Sequence, residues 1–124
     1  MGELFLRLGD YDRGREFLER SFEVWQGALG PEHPGVAFPV RGLGFLALET
    51  GNLDEAENNF RRALEIRENA LRPDHPMVEE SLIEYATVLQ RLGRKKEAEK
   101  LSRRAQGILQ RRQAKKTGEP AASE

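Results

Sequence analysis

Leu71-Arg72-Pro73-Asp74-His75-Pro76 decides the reading of this chain, because Leu29-Gly30-Pro31-Glu32-His33-Pro34 is the same phrase 42 positions earlier. The displacement holds outward in both directions. Gly9, Gly51 and Gly93 keep it. So do Glu55-Ala56-Glu57 with Glu97-Ala98-Glu99, and Arg61-Arg62-Ala63 with Arg103-Arg104-Ala105. A fixed period of this size marks a stacked repeat, in which each unit buries its apolar face only against neighbours. Such proteins act by presenting a surface. The sequence therefore points to binding and leaves the partner open.

Each period reads as helix, tight turn, helix, Pro-containing turn. From Leu53 to Ala70 the apolar and small residues follow the three-and-four spacing of one helical face, with Ala56, Phe60 and Ala63 as its stripe. Ala98, Leu101, Ala105 and Ile108 form the equivalent stripe one period on. Gly51 and Gly93 suit left-handed C-terminal caps, and Asp54 and Glu55 place negative charge at the start of the next helix. Pro34 and Pro76 suit a first helical turn, whose N–H groups have no helical partner. The pattern predicts helices near 2–8, 11–29, 34–50, 53–71, 76–92 and 95–112, with antiparallel neighbours because the loops are short. Two irregularities qualify this. The first helix has half the usual length, and Pro39 lies where it forces the third helix to start late, near Phe38, or to bend. Residues 114–124, ending Gly-Glu-Pro-Ala-Ala-Ser-Glu, lack apolar periodicity and read as a disordered tail.

The chain has 124 residues and no cysteine, which excludes disulfides and thiolate metal sites. No apolar run approaches the ~20 residues of a membrane span, so no membrane partner is expected. The first eight residues are too short, and too acidic at Glu3, for a secretory signal. Gly2 has Leu6 where a myristoylation context wants Ser or Thr. A cytoplasmic protein is expected. Charge is unevenly placed: residues 91–116 carry eleven Lys or Arg against Glu97 and Glu99, whereas residues 1–90 carry nine basic and seventeen acidic side chains.

Gly51, Leu53, Glu55, Ala56, Glu57, Arg62, Ala63, Leu64 and Ile66, followed by Leu71, Asp74, His75, Pro76 and Val78, form the fullest copy of the repeat. These residues resemble the tetratricopeptide repeat in its 42-residue, kinesin-light-chain-like form. The third copy is fainter, with Ser102 where an aromatic is usual. In the first, Gly14 and Ser21 replace alanines. The resemblance covers about residues 1–110 and implies an all-α, right-handed α-solenoid of antiparallel helix pairs, two full repeats plus a partial N-terminal one. The repeats fall at about 1–30, 34–71 and 76–112. It also implies a non-catalytic protein-interaction module with no cofactor, whose partner is a protein or peptide.

The family's usual site is the concave groove lined by the first helix of each repeat. Carried over, it comprises Glu3, Leu6 and Arg7; then Phe38, Arg41, Phe45, Leu48 and Glu49; then Glu80, Ile83, Glu84, Thr87, Gln90 and Arg91. Phe45 and Ile83 are its apolar anchors, or they pack between repeats. Arg41-Gly42 and Ile83-Glu84 stand where kinesin light chains commonly have paired asparagines. Phe45 and Glu84 replace the asparagines of the chaperone-binding carboxylate clamp, so neither ligand preference transfers.

Two other surfaces compete with the groove. The final helix carries Lys96, Lys100, Arg103, Arg104, Arg111 and Arg112, a patch for nucleic acid or an acidic partner, or else a solvated capping face. Nucleic acid is the weaker reading, because no aromatic interleaves with these cations. Phe17, Phe22 and Trp25 lie on a helix whose upstream partner is short, which leaves an apolar edge for self-association or for packing on the next repeat. His33 and His75 are the only histidines, and both belong to the repeated turn, where each can satisfy a helix end or a loop carbonyl. A full period separates them, too far for one metal. No catalytic motif, phosphate-binding glycine loop or metal-ligand spacing appears, and no enzyme is expected.

Overall fold

The computed structural model describes residues 2–117, with side chains from 10 to 115, and among them are five α-helices, one 3-10 turn and no strand. In chain order these are α1 (Gly2–Leu29), the 3-10 turn (Pro34–Val36), α2 (Ala37–Glu49), α3 (Leu53–Ala70), α4 (Pro76–Arg91) and α5 (Lys95–Thr117). Each of α1/α2, α2/α3, α3/α4 and α4/α5 packs as a neighbouring pair, giving an all-α solenoid.

The turns repeat as the sequence does. Gly51 and Gly93 have φ of 82° and 83°, and each closes the same pair of bonds. Gly51 N–H donates to Leu48 O and Asn52 N–H to Ala47 O; Gly93 N–H donates to Gln90 O and Arg94 N–H to Leu89 O. This is a Schellman arrangement, and it needs a residue without a Cβ at the left-handed position. Asn52 then caps α3 by accepting from Glu55 N–H at 3.2 Å. Both histidines cap helix starts: Nδ1 of His33 accepts from Gly35 N–H at 2.9 Å, and Nδ1 of His75 from Met77 N–H at 3.0 Å. Each stands before a proline whose missing N–H would have had no partner in that first turn.

Between α2 and α3 the packing is set by small residues. Ala47, Ala56 and Phe60 form one buried cluster with Val88 of α4. A Cβ on Gly44 would lie 2.9 Å from the Phe60 ring, so the glycine is what seats that phenyl group. Leu64, Val78, Leu82, Ala105 and Ile108 carry the core onward into α4 and α5. The two stripes expected of α3 and α5 are thus its inner faces.

Two expectations change and one is met. Residues 2–8 do not form a separate helix. They run through Gly9 into a single 28-residue α1. A helix of seven residues is marginal alone, and continuing the i→i−4 ladder retains hydrogen bonds that a turn at Gly9 would forgo. Pro39 acts as one of its two expected alternatives has it, a late start near Phe38. Pro34–Val36 takes up a 3-10 turn, and α2 begins at Ala37, so proline falls in the first turn where no N–H is needed. Finally, α5 extends to Thr117 rather than ending at 112, with Arg112 and Lys115 tied back to Glu79 and Asp74. The rest of the expected tail, 118–124, lies outside the described residues.

Tyr85 bridges α4 to α3 by donating its hydroxyl to Glu57 Oε2 at 3.0 Å. Burial, and then that bond to a carboxylate, push its phenol above the ordinary value near 10. The folded state therefore holds the proton more tightly than the unfolded chain. Stability from this group is complete below the ordinary value and is lost as pH rises through the raised one. Chemical denaturation across pH 9–11.5 should show this loss at about the alkaline end, and Tyr85→Phe should flatten it. Gly44→Ala should lower stability by about 1–3 kcal/mol through the clash with Phe60, measured by urea unfolding.

Candidate functional site

Along α2, Phe38, Arg41 and Phe45 share one face, and across from them α4 presents Glu80, Ile83 and Glu84. The two helices are joined here by charge. Arg41 donates from Nε to Glu84 Oε1 at 2.8 Å and from Nη2 to Glu84 Oε2, a side-on fork, and its Nη2 also lies 3.4 Å from Glu80. Hydrogen bonding to Glu84 is the chief reason the Arg41 guanidinium is held even more firmly protonated than usual. Such bidentate pairs fix geometry as well as charge. Aromatic rings cover these cations: the Arg41 guanidinium lies 5.6 Å from the Phe45 ring centre and that of Arg67 5.3 Å from Phe38.

Phe45 also sets its ring edge-on to Phe60, at 5.0 Å and 82°, yet 43% of it remains exposed, as does 49% of Ile83. The face is thus apolar at its two anchors and ionic between them. The other expected groove residues divide. Leu48 packs on the core, Thr87 turns its hydroxyl back to Ile83 O at 2.9 Å, and Glu49 accepts from Tyr11 of α1 at 2.8 Å. Gln90 and Arg91 are exposed at the far end. The side chains of Glu3, Leu6 and Arg7 lie outside the described ones.

Arg67 of α3 is the residue that sequence reasoning missed. It is fully buried, and its Nη1 alone meets Met77 O at 3.0 Å, Glu80 Oε1 at 2.9 Å and Ser81 Oγ at 3.0 Å. Its Nε and Nη2 have no acceptor among the described residues. A signal existed: displaced by 42, the same position holds Trp25 and Leu109, so an arginine breaks an apolar column. Glu80 touches both Arg41 and Arg67 and so links α2, α3 and α4 at the centre of the groove.

The basic final helix is less free than its composition suggests. Arg104 pairs with Glu68, Arg112 with Glu79 and Lys115 with Asp74, while Arg103 lies 3.7 Å from Glu99 within the helix. Lys96, Lys100 and Arg111 remain exposed. Bonding to Lys115 holds the Asp74 carboxyl below its usual range, and bonding to Arg94 does the same for Glu97. On α1, Trp25 meets Phe38 edge-on at 6.3 Å and Phe22 lies under Arg62, whereas Phe17 and Val24 stay 69% and 64% exposed. No group of three His, Asp or Glu among the described residues is placed to hold a metal, and no described helix is long and apolar enough to cross a membrane.

Helix pairs stacked in register, with a groove between their first members, define a repeat-built scaffold. The chain belongs to the tetratricopeptide repeat family, whose model matches residues 1–69 and again 39–111. Its repeats have a 42-residue period. The fold is similar to the crystal structure of BtubC (BKLC) from P. vanneervenii, with a TM-score of 0.77 at 24% identity. That likeness covers 98% of this chain and 47% of the other, so the present chain spans about half its length. No curated protein sequence matches the chain. Tetratricopeptide repeats are in general non-catalytic protein–protein interaction modules.

Replacing both members of a buried ion pair by apolar residues of similar size is often neutral or stabilising, whereas removing one partner is costly. Arg67→Met combined with Glu80→Leu should therefore keep stability within about 1 kcal/mol of the parent or above it. Glu80→Ala should cost about 3 kcal/mol, because it leaves the buried guanidinium without a counter-ion. Urea unfolding of both variants checks this.

Proposed function

We propose that this chain is a non-catalytic, cytoplasmic adaptor that binds a segment of a partner protein in the groove between α2 and α4. The observation that carries this reading is the exposure of Phe45 and Ile83 beside a row of charges already fixed by Arg41, Glu80 and Glu84. Two apolar anchors with a pre-organised polar centre suit an extended or helical peptide, which would bury the anchors and lose little entropy in ordering the charges. The basic face of α5 is the weaker reading, since Arg104, Arg112 and Lys115 are engaged with the body of the protein. Self-association has the exposed Phe17 and Val24 in its favour.

Phe45→Ala with Ile83→Ala should weaken capture of a specific protein partner by about thirtyfold, as loss of a central anchor does. Arg103, Arg104, Arg111 and Arg112 changed to Gln should leave that capture nearly intact, with or without nuclease. Calorimetric titration of the purified partner measures both. Loss only in the Arg-to-Gln protein would transfer the function to α5.

A further inference from the structure

On the other side of α2 from Arg41 and Phe45, at about 100° per residue, Val40 and Leu43 form the floor of a cleft between α1 and α3. The cleft has a volume of about 830 Å³ and is walled by Phe22 and Gln26 of α1 and by Asn59 and Arg62 of α3, among others. It lies apart from the groove and from the basic face of α5.

The chain contains its own control for this site. Moved on by 42 residues, those six positions become Leu82 and Tyr85 of α4, Leu64 and Glu68 of α3, and Leu101 and Arg104 of α5. There the seam is filled. Leu64 and Leu82 are buried in one cluster, Tyr85 and Leu101 pack against it, and Arg104 pairs with Glu68 across the two helices. Between α1 and α3 the tyrosine ring is replaced by Leu43, the leucine by Asn59 and the carboxylate by the Gln26 amide. Arg62 alone is retained. Its guanidinium rests 5.1 Å from the Phe22 ring centre and has no ion-pair partner among the described residues.

Relative to its neighbour, the open seam has its ring on α1, with Phe22 for Leu64, and lacks one on α2; it also lacks an aliphatic branch at Asn59 and an anion facing the Arg62 guanidinium. We infer that the cleft is a second binding site, and that it takes a segment of a partner protein carrying an aromatic side chain beside a carboxylate. The ring covers the half-buried Leu43 beside the buried Val40, the side-chain amide of Asn59 faces the segment's polar backbone, and the carboxylate pairs with Arg62. Glu19 and Glu23 on the α1 wall repel an anion from that side, Arg15 of α1 and Glu55 of α3 neutralise each other across the cleft at 2.9 Å, and Arg62 of α3 is left as the cation that receives it. The counterpart of Glu23 is Glu65, which coexists with the Arg104–Glu68 pair, so an acid at that position does not prevent the contact.

The test uses the intact chain with acetyl-Glu-Tyr-amide as probe and acetyl-Gln-Tyr-amide as its uncharged counterpart. Binding is followed through the Asn58 side-chain amide and the Arg62 Nε–H signals in nitrogen-15 NMR. Leu43→Tyr with Asn59→Leu installs the residues that fill the neighbouring seam, and Arg62→Gln supplies a second variant of lower folding risk. Support consists of saturable shifts with the acidic probe, about tenfold weaker with the amide or with Arg62→Gln, and absent in the filled double variant. Three results would each overturn the inference: no shift at millimolar probe, equal shifts for both probes, or shifts that persist once the cleft is filled. None of these bears on the groove, whose anchors are Phe45 on the opposite face of α2 and Ile83 on α4.

Discussion

A phenyl ring and a Cβ cannot share the same space, and the approach of α2 to α3 rests on that fact. Gly44 leaves the room that Phe60 fills, and Ala47 and Ala56 keep the two backbones close around it. Because Val88 belongs to the same buried cluster, this packing also sets where α4 lies. The alanine columns of the repeat are therefore not filler. They fix the spacing at which long side chains from a third helix can complete the core. Every surface feature of the protein depends on that spacing, including which side chains on α2 and α4 come within reach of each other.

Much of this was legible in the chain because the period states it more than once. The left-handed glycines at 51 and 93, the histidine caps at 33 and 75, and the buried stripes of α3 and α5 all follow from local geometry read at a fixed displacement. Where the repeat is incomplete, that inference weakens. Gly9 keeps the displacement of the turn glycines, yet no turn forms there, because a turn glycine permits a break without compelling one. Periodicity also gives the face of a helix on which a residue lies but not its contact across the gap. Hence the positions of Arg41 and Glu84 were readable and their pairing was not.

Charge in this protein is spent mostly on joining helices. Glu57 takes the Tyr85 hydroxyl and also lies 3.7 Å from Arg94; Glu55 holds Arg15; Glu68 and Glu79 hold Arg104 and Arg112. Such pairs contribute little each when exposed to water. Their value is directional, since each links one helix to a particular neighbour. A composition with a strongly basic final helix reads as a binding surface until these links are drawn. After that, the unengaged cations are fewer and lie along the outer side of α5.

Trp25 is the chain's single tryptophan, and it stands edge-on to Phe38, whose ring also lies over the buried Arg67 guanidinium. Indole emission responds to the polarity and packing around the ring. The protein thus has an optical reporter already installed at the rim of its groove. Any molecule that shifts Phe38, or that changes how α1 leans on α2, alters the light this one residue emits. Occupancy of the groove can be followed in the unlabelled protein without first knowing what occupies it.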